Sequence, residues 1–316
     1  MAILFTAKLS DKHQQTLKEK YPNQAFIFCE GIDEAEEFLA EATVFVTYGD
    51  DVDEQLIEKA TNLSWIMVLS AGVERLPFQA IQERGIVVTN SRGIHKVQMA
   101  EYTLSMLLQV YRQEKQLAVN ESKSSWDKSV RMKEITGQTM LVLGTGAIGQ
   151  EVARLAQAFR MKTIGVSRSG RFVKYFDVTH TIDNLNSVLP EADFVVSVLP
   201  STSETKYLLT EEHFTLMKDS AVFLNIGRGD VVASSTLLTA IQNEEIAHAV
   251  LDVFEQEPLP ADHPFWNEES ITVTPHISGQ SPNYLVRALA IFQDNLDNML
   301  NGEEDYINLV DPTRGY

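Results

Sequence analysis

Three side chains in the last third of the sequence have the types and spacing for proton transfer beside a bound carboxylate: Arg228, Glu257 and His276. Histidine is the natural proton donor near neutral pH. A carboxylate against its ring holds the orientation and favours the imidazolium. An arginine can grip a substrate carboxylate and polarise a neighbouring carbonyl oxygen. Each of the three stands just beyond a strand-like apolar run. Ala221–Ile226 leads into Gly227-Arg228-Gly229-Asp230, and Ala249–Val253 into Phe254-Glu255-Gln256-Glu257-Pro258. Ile271–Thr274 leads into Pro275-His276-Ile277-Ser278-Gly279. Open α/β sheets bind their ligands just outside the carboxyl ends of parallel strands. The plainer readings are a solvated turn arginine, a loop carboxylate and a structural histidine. Glu255 rivals Glu257, and His248 and His263 are weaker rivals of His276, in the Ala247–Val253 run and the Ala261–Pro264 loop.

A second constellation lies upstream. Met140–Leu143 reads as a buried strand and runs directly into Gly144-Thr145-Gly146-Ala147-Ile148-Gly149, with a helical pattern over Glu151–Phe159. A G-x-G-x-x-G between a strand and a helix is the dinucleotide-binding context. Gly144 permits the tight turn, Gly146 lets the backbone approach the pyrophosphate, and Gly149 lets helix and strand pack closely. The helix N-terminus then faces the phosphate charge. The next strand, Lys162–Val166, ends at Ser167-Arg168-Ser169-Gly170-Arg171, and the first acidic residue downstream is Asp177. An enzyme for NAD usually carries Asp or Glu at this strand end. Arginine there can instead bind a 2′-phosphate in a charge-assisted fork. We therefore expect NADP to be preferred, with NAD possible. Leu199, Pro200, Ile226 and Gly227 complete the candidate cofactor contacts.

These residues need a scaffold that brings several strand ends together. Strand-like runs at Ile3–Ala7, Ala25–Cys29, Thr43–Tyr48, Trp65–Leu69 and Ile86–Thr89 alternate with helical stretches such as Asp11–Tyr21, Asp53–Thr61 and Pro77–Arg84. Repeated βα implies a parallel sheet with helices on both faces. A long helical pattern, Glu101–Leu117, is apolar at Leu104, Leu107, Leu108 and Tyr111. The polar stretch Asn120–Ser129 follows, and a second αβ series runs from Thr139 to Thr274. The pattern Leu285–Leu300 ends in Asn301-Gly302, which suits a C-cap. The fold class is α/β, with two doubly wound, Rossmann-like domains and a cleft between them. Periodicity alone does not tell whether the final helix returns to the first domain.

Composition narrows the function classes. The chain has 316 residues, a 44% apolar fraction and a formal net charge of -18. That acidic excess argues against nucleic acid and anionic lipid as partners. The sole cysteine, Cys29, cannot form an intramolecular disulfide, which fits a reducing compartment. No signal-like segment opens the chain, and no apolar run reaches the roughly 18 residues of a membrane helix. The protein is expected to be cytoplasmic. No ligand set points to a metal site.

With these motifs in hand, the sequence resembles the D-isomer-specific 2-hydroxyacid dehydrogenase family. The resemblance rests on Gly144–Gly149, Asn225-Ile226-Gly227-Arg228-Gly229, Leu251-Asp252-Val253-Phe254-Glu255-Gln256-Glu257-Pro258 and Thr274-Pro275-His276. Their order and spacing span nearly the whole chain. The resemblance implies Arg228, Glu257 and His276 as the catalytic set, and its glutamate before proline selects Glu257 over Glu255. It implies that the Ser70-Ala71-Gly72-Val73 loop holds the substrate carboxylate through backbone amides, with Ala71, Gly72, Val73, Arg228 and His276 contacting substrate. It implies that Asp252 bonds the nicotinamide carboxamide, that the final helix crosses back to the substrate domain, and that the protein is a homodimer. The expected domains are 1–95 plus 280–316 for substrate and 96–279 for dinucleotide.

Two features depart from the common pattern of the family that the sequence resembles. Ser167-Arg168-Ser169 resembles the NADP-using glyoxylate/hydroxypyruvate reductase branch, and Arg92 stands where many relatives have proline. The expected reaction is hydride transfer between NADP(H) and a small 2-keto or 2-hydroxy acid. Two alternatives stand beside it: 3-phosphoglycerate oxidation, and a nicotinamide-sensing, partner-binding protein on the same fold. Arg75, Arg92 and Lys96 flank the carboxylate loop or enter the interdomain helix, where they could attract a second anionic group.

Overall fold

A strand that is apolar on both sides must be covered on both, and the N-terminal strands are of that kind. The computed structural model describes residues 1–311, which form two units. The first is Met1–Ile94 with the described residues from Pro282 onward, and the second is His95–Ser281. The units part at 94/95 and 281/282, against the 95/96 and 279/280 read from the sequence.

The first unit carries β1 (Ala2–Phe5), α1 (Asp11–Lys20), β2 (Ala25–Phe28), α2 (Ile32–Ala35), β3 (Ala42–Thr47), α3 (Glu54–Lys59), β4 (Trp65–Val68), α4 (Phe78–Glu83) and β5 (Val87–Asn90). Its strands are all parallel, in the order β2-β1-β3-β4-β5. Alternation divides the core. Ile3, Phe5, Val44, Val46, Trp65 and Met67 face one side, and Leu4, Phe45, Ile66 and Val68 the other. The second face is closed by Ala35, Leu56, Ile57 and Ile81 of α2, α3 and α4. On the first face, Leu17 of α1 is joined by Ala288, Leu289, Phe292 and Leu296 of the C-terminal helix, Tyr284–Leu300. The Phe292 ring stacks on Trp65 at 5.6 Å between centroids and meets Phe5 edge-on at 5.4 Å.

The second unit begins with α5 (Lys96–Tyr111) and α6 (Glu114–Ser122). The apolar pattern suggests one continuous helix here, but Gln113 adopts a left-handed backbone (φ 58°) and breaks it in two. The sheet comprises β6 (Thr139–Leu143), β7 (Lys162–Ser167), β8 (Val178–Thr181), β9 (Phe194–Ser197), β10 (Val222–Asn225), β11 (His248–Leu251) and β12 (Ile271–Val273). Between them lie α7 (Ala147–Ala158), α8 (Leu185–Val188), α9 (Glu211–Leu216) and α10 (Ser234–Gln242), and the C-terminal helix is α11. The strand order β12-β11-β10-β9-β6-β7-β8 is wholly parallel. α5 and α7 cover one face, and α8, α9 and α10 the other. The order reverses between β6 and β9, so the topological switch point lies at the carboxyl end of β6. Among the described residues, no helix is long and apolar enough to cross a membrane.

Candidate active site

The glycine loop leaves β6 at that switch point. Gly144 has φ 102°. A side chain at Gly149 would put Cβ 2.0 Å from the Gly144 carbonyl oxygen, so only glycine lets the helix turn pack on the loop. The helix starts at Ala147, earlier than the apolar pattern suggests, so Ala147, Ile148 and Gly149 form its first turn. Gly146 is the N-cap, with no side-chain cap bond, and a Cβ there would meet open space. At the carboxyl end of β9, across the switch point, the Ser197 hydroxyl is buried without a hydrogen-bond partner among the described residues. Open space at Gly146, an uncapped helix N-terminus and this orphaned hydroxyl fit a dinucleotide at the loop.

The remaining candidates divide across the switch. Ser167 closes β7, and Arg168 and Ser169 beyond it are exposed. Leu199 and Pro200 follow β9, Ile226 and Gly227 follow β10, and Asp252 follows β11. These candidates thus stand at the carboxyl end of β7 on one side of β6 and at those of β9, β10 and β11 on the other. Sequence reasoning missed Glu204. Its carboxyl is held below the usual range by hydrogen bonds from its own amide, Thr202 and Ser203, and also by the charge of Arg168. It is thus an acidic neighbour of the arginine expected to read the 2′-phosphate.

Arg228, Glu257 and His276 follow the carboxyl ends of β10, β11 and β12, which are neighbours in the sheet. The Asn225 side chain frames the turn after β10: its Nδ2 donates to the Arg228 carbonyl at 2.9 Å, and its Oδ1 accepts the Gly227 amide at 3.1 Å. The Arg228 guanidinium is exposed and donates to the Gly227 carbonyl at 2.8 Å. Gly229 is obligatory, because a Cβ there would fall 1.9 Å from the Phe254 carbonyl carbon. That close approach sets the Arg228 turn against the segment leading to Glu257.

Glu257 accepts from His276 Nδ1 at 2.7 Å through Oε2, and from the Phe254 amide at 3.0 Å through Oε1. Burial alone would push its carboxyl up. The His276 and Phe254 hydrogen bonds, with the charges of His276 and Arg228, outweigh that and hold it below the usual carboxylate range. An ionised carboxylate only accepts, so Nδ1 carries a proton and Nε2 is left for the substrate side. His276 has φ 54°, a left-handed backbone that side-chain-bearing residues rarely adopt.

The rivals are occupied elsewhere. Glu255 accepts the Ser234 amide at 2.6 Å and the Tyr207 hydroxyl at 3.0 Å, which ties it to the start of α10. His248 opens β11 at its amino end and bonds Thr272 Oγ1 at 2.8 Å. Burial, assisted by the charge of Lys115, pushes its pKa down to about 4. His263 Nδ1 accepts the Phe265 amide at 3.3 Å.

Asp252 is wholly buried, with both carboxylate oxygens engaged by the loop that carries His276. Sequence reasoning placed it at the nicotinamide carboxamide and missed this loop-holding role.

In the first unit, Ala71-Gly72-Val73 follows β4. Asn90 Nδ2 donates to the Ala71 carbonyl at 2.7 Å, and the Ser70 hydroxyl lies 2.8 Å from the Gly72 carbonyl. Arg75 and Arg92 are exposed. Lys96 opens α5, and its charge helps hold the Glu151 carboxyl low, after the larger effect of the Arg154 hydrogen bond.

Comparison with known proteins agrees with this architecture. Residues 104–278 match the domain described as "D-isomer specific 2-hydroxyacid dehydrogenase, NAD binding domain". The chain is 31% identical over 269 residues to D-3-phosphoglycerate dehydrogenase of Methanocaldococcus jannaschii, covering 84% of this chain and 51% of that one. It thus spans about half the length of that relative. It is 30% identical over 279 residues to glyoxylate/hydroxypyruvate reductase B of Yersinia pestis, covering 85% of each. The crystal structure of a D-isomer specific 2-hydroxyacid dehydrogenase family protein from Aeromonas salmonicida superposes with a TM-score of 0.84, at 35% identity, over 98% of this chain and 99% of that one. With its glycine loop, its strand-end residues and these matches together, the chain belongs to the D-isomer specific 2-hydroxyacid dehydrogenase family.

Proposed function

We propose that the protein reduces a small 2-keto acid, of the glyoxylate or hydroxypyruvate kind, with NADPH preferred over NADH. The observation that carries this reading is the Glu257–His276 pair at 2.7 Å, one strand away from the turn that carries Arg228. When bound, the reduced nicotinamide supplies the hydride. Arg228 grips the substrate carboxylate and polarises the keto oxygen. His276 gives its Nε2 proton to that oxygen as it becomes an alkoxide, and leaves the step as neutral imidazole. Glu257 keeps the ring oriented and its charge favours the protonated form. In the oxidative direction the same neutral imidazole takes the hydroxyl proton.

The second unit is assigned to the dinucleotide and the first to substrate. The Ala71–Val73 loop is taken as a carboxylate-binding element from the family resemblance. The NADP preference rests on Arg168 standing where a ribose-binding carboxylate is usual. A homodimer is supported by apolar side chains left exposed after α5: Trp126 is 90% exposed and Val119 and Met132 are each 42% exposed. A cytoplasmic location is supported by the free, buried Cys29.

The test is a panel of glyoxylate, hydroxypyruvate and phosphohydroxypyruvate with NADPH and with NADH. Turnover of the unphosphorylated acids with NADPH is expected. A clear advantage for phosphohydroxypyruvate that disappears at high salt would instead assign a phosphate-binding role to the exposed cations Arg75 and Arg92. No turnover of any 2-keto acid would favour the nicotinamide-sensing alternative.

A further inference from the structure

The loop that presents His276 is held from within the protein by one carboxylate. Asp252 is 0% exposed. Its Oδ1 accepts the Thr274 hydroxyl at 2.5 Å and the Ile277 amide at 2.9 Å, and its Oδ2 accepts the Ser278 amide at 2.9 Å. Ile277 and Ser278 directly follow His276, the residue with the left-handed backbone. Such a conformation persists only where the surroundings over-determine it. Successive amides converging on an anion are a surrounding of that kind.

Asp252 is itself fixed. The Thr274 hydroxyl has a single proton, which goes to the carboxylate. The Tyr102 hydroxyl lies 2.6 Å from the same Thr274 oxygen, so Tyr102 is the donor in that contact. Tyr102 comes from α5, one of the helices that cover a face of the sheet. Burial pushes its hydroxyl up to about 12; the Thr274 bond opposes this and the Asp252 charge adds to it. It therefore keeps its proton throughout the neutral range.

We propose that Tyr102, Thr274 and Asp252 form a positioning chain for the proton donor: Tyr102 fixes Thr274, Thr274 fixes Asp252, and Asp252 draws the Ile277 and Ser278 amides into the turn that sets the imidazole against Glu257. The proposal rests on the reading of His276 as proton donor. It assigns Asp252 a role that does not require contact with the cofactor, and it brings Tyr102, which lies in none of the sequence motifs, into the machinery as a positioning residue.

The experiment compares Thr274→Val, Thr274→Ser, Tyr102→Phe and His276→Ala, measuring kcat, KM, NADPH affinity by fluorescence titration, and the solvent deuterium isotope effect on kcat. Thr274→Val keeps shape and loses the hydroxyl. It is expected to lower kcat by roughly 10- to 100-fold, the scale of a small misplacement of a reacting group, with NADPH affinity unchanged. Tyr102→Phe should show a smaller loss in the same direction. The isotope effect should grow in both, because proton transfer becomes slower. Thr274→Ser should restore most of the kcat lost in Thr274→Val. The chain is refuted if Thr274→Val and Tyr102→Phe keep the parent kcat while His276→Ala loses it. It is refuted equally if kcat and NADPH affinity fall together with no change in the isotope effect, which is the mark of a merely structural role. Retained turnover in His276→Ala would instead remove the proton-donor reading itself, whatever the other variants do.

Discussion

Glu257 is held to its own chain by one oxygen and to His276 by the other: Oε1 accepts the Phe254 amide at 3.0 Å and Oε2 meets His276 Nδ1 at 2.7 Å. Glu257→Gln keeps the shape and removes the charge, and its single amide oxygen can accept from only one of the two N–H donors. Reduction needs the imidazolium, so activity is present at lower pH and lost as pH rises. Without the carboxylate charge, the alkaline limb should move to lower pH. In the parent, the depressed Glu257 carboxyl keeps the pair intact above the ordinary carboxylate range, and the contact is lost only as pH falls through the depressed value. A pH–rate profile of both proteins checks this, and an unmoved alkaline limb would reassign the glutamate.

Cofactor preference should follow Arg168. NADPH is expected to give a higher kcat/KM than NADH on one substrate, and Arg168→Asp should reverse the order, since a carboxylate repels a 2′-phosphate and accepts from a 2′-hydroxyl. Glu204→Gln is expected to strengthen NADPH binding slightly, because Glu204 shares the field of Arg168. Equal values for the two cofactors in the parent would contradict the assignment.

Arg228→Ala should raise the substrate KM and lower kcat/KM by roughly 10- to 100-fold, the scale of a lost hydrogen bond to a charged group. Arg228→Lys should recover only part, because lysine cannot form the planar fork. NADPH affinity measured without substrate should be little changed. A variant bound to substrate as tightly as the parent would exclude Arg228 from the carboxylate.

Gly229→Ala should destabilise the protein and inactivate it together. The added Cβ would fall 1.9 Å from the Phe254 carbonyl carbon, and backbone cannot yield as a flexible side chain can. Overpacking of this kind costs about 1–3 kcal/mol, so Tm should fall by roughly 3–10 °C. A melting curve superposable on the parent's would show that the two strand ends are free to separate.

Much of this site was legible because its residues sit where a short apolar run stops. Val222–Asn225, His248–Leu251 and Ile271–Val273 are strands in the structure, and Arg228, Glu257 and His276 follow them closely in sequence. Tertiary relations were not legible. Asp252 reads as another strand-end acid, and nothing in its neighbours' identities shows that Ile277 and Ser278 turn their amides toward it. Tyr102 lies on the side of its helix opposite Leu104, Leu107, Leu108 and Tyr111, and its reach to Thr274 depends on how that helix lies on the sheet. The break between α5 and α6 is invisible to apolar periodicity because Gln113 is an ordinary helix former that here takes a left-handed backbone. Val178–Thr181 and Phe194–Ser197 fall within the second αβ series without being singled out as strands; the first is partly exposed at the edge of its sheet and carries a mixed, weakly apolar sequence.

The packing of α11 on the first unit has a consequence for the order in which the chain can fold. The ring of Phe292 is fully buried between Trp65 and Phe5, so the face that carries those residues is complete only when the C-terminal helix arrives. A ribosome releases Met1–Ile94 first and must then make the whole of His95–Ser281. At roughly 5–20 residues per second, the nascent N-terminal sheet waits on the order of ten seconds or more with that aromatic face uncovered. The dinucleotide unit, being continuous, can close during the wait. During synthesis, then, the later-made unit is the first able to finish, and the earlier-made one is the natural client for a chaperone that shields apolar surface.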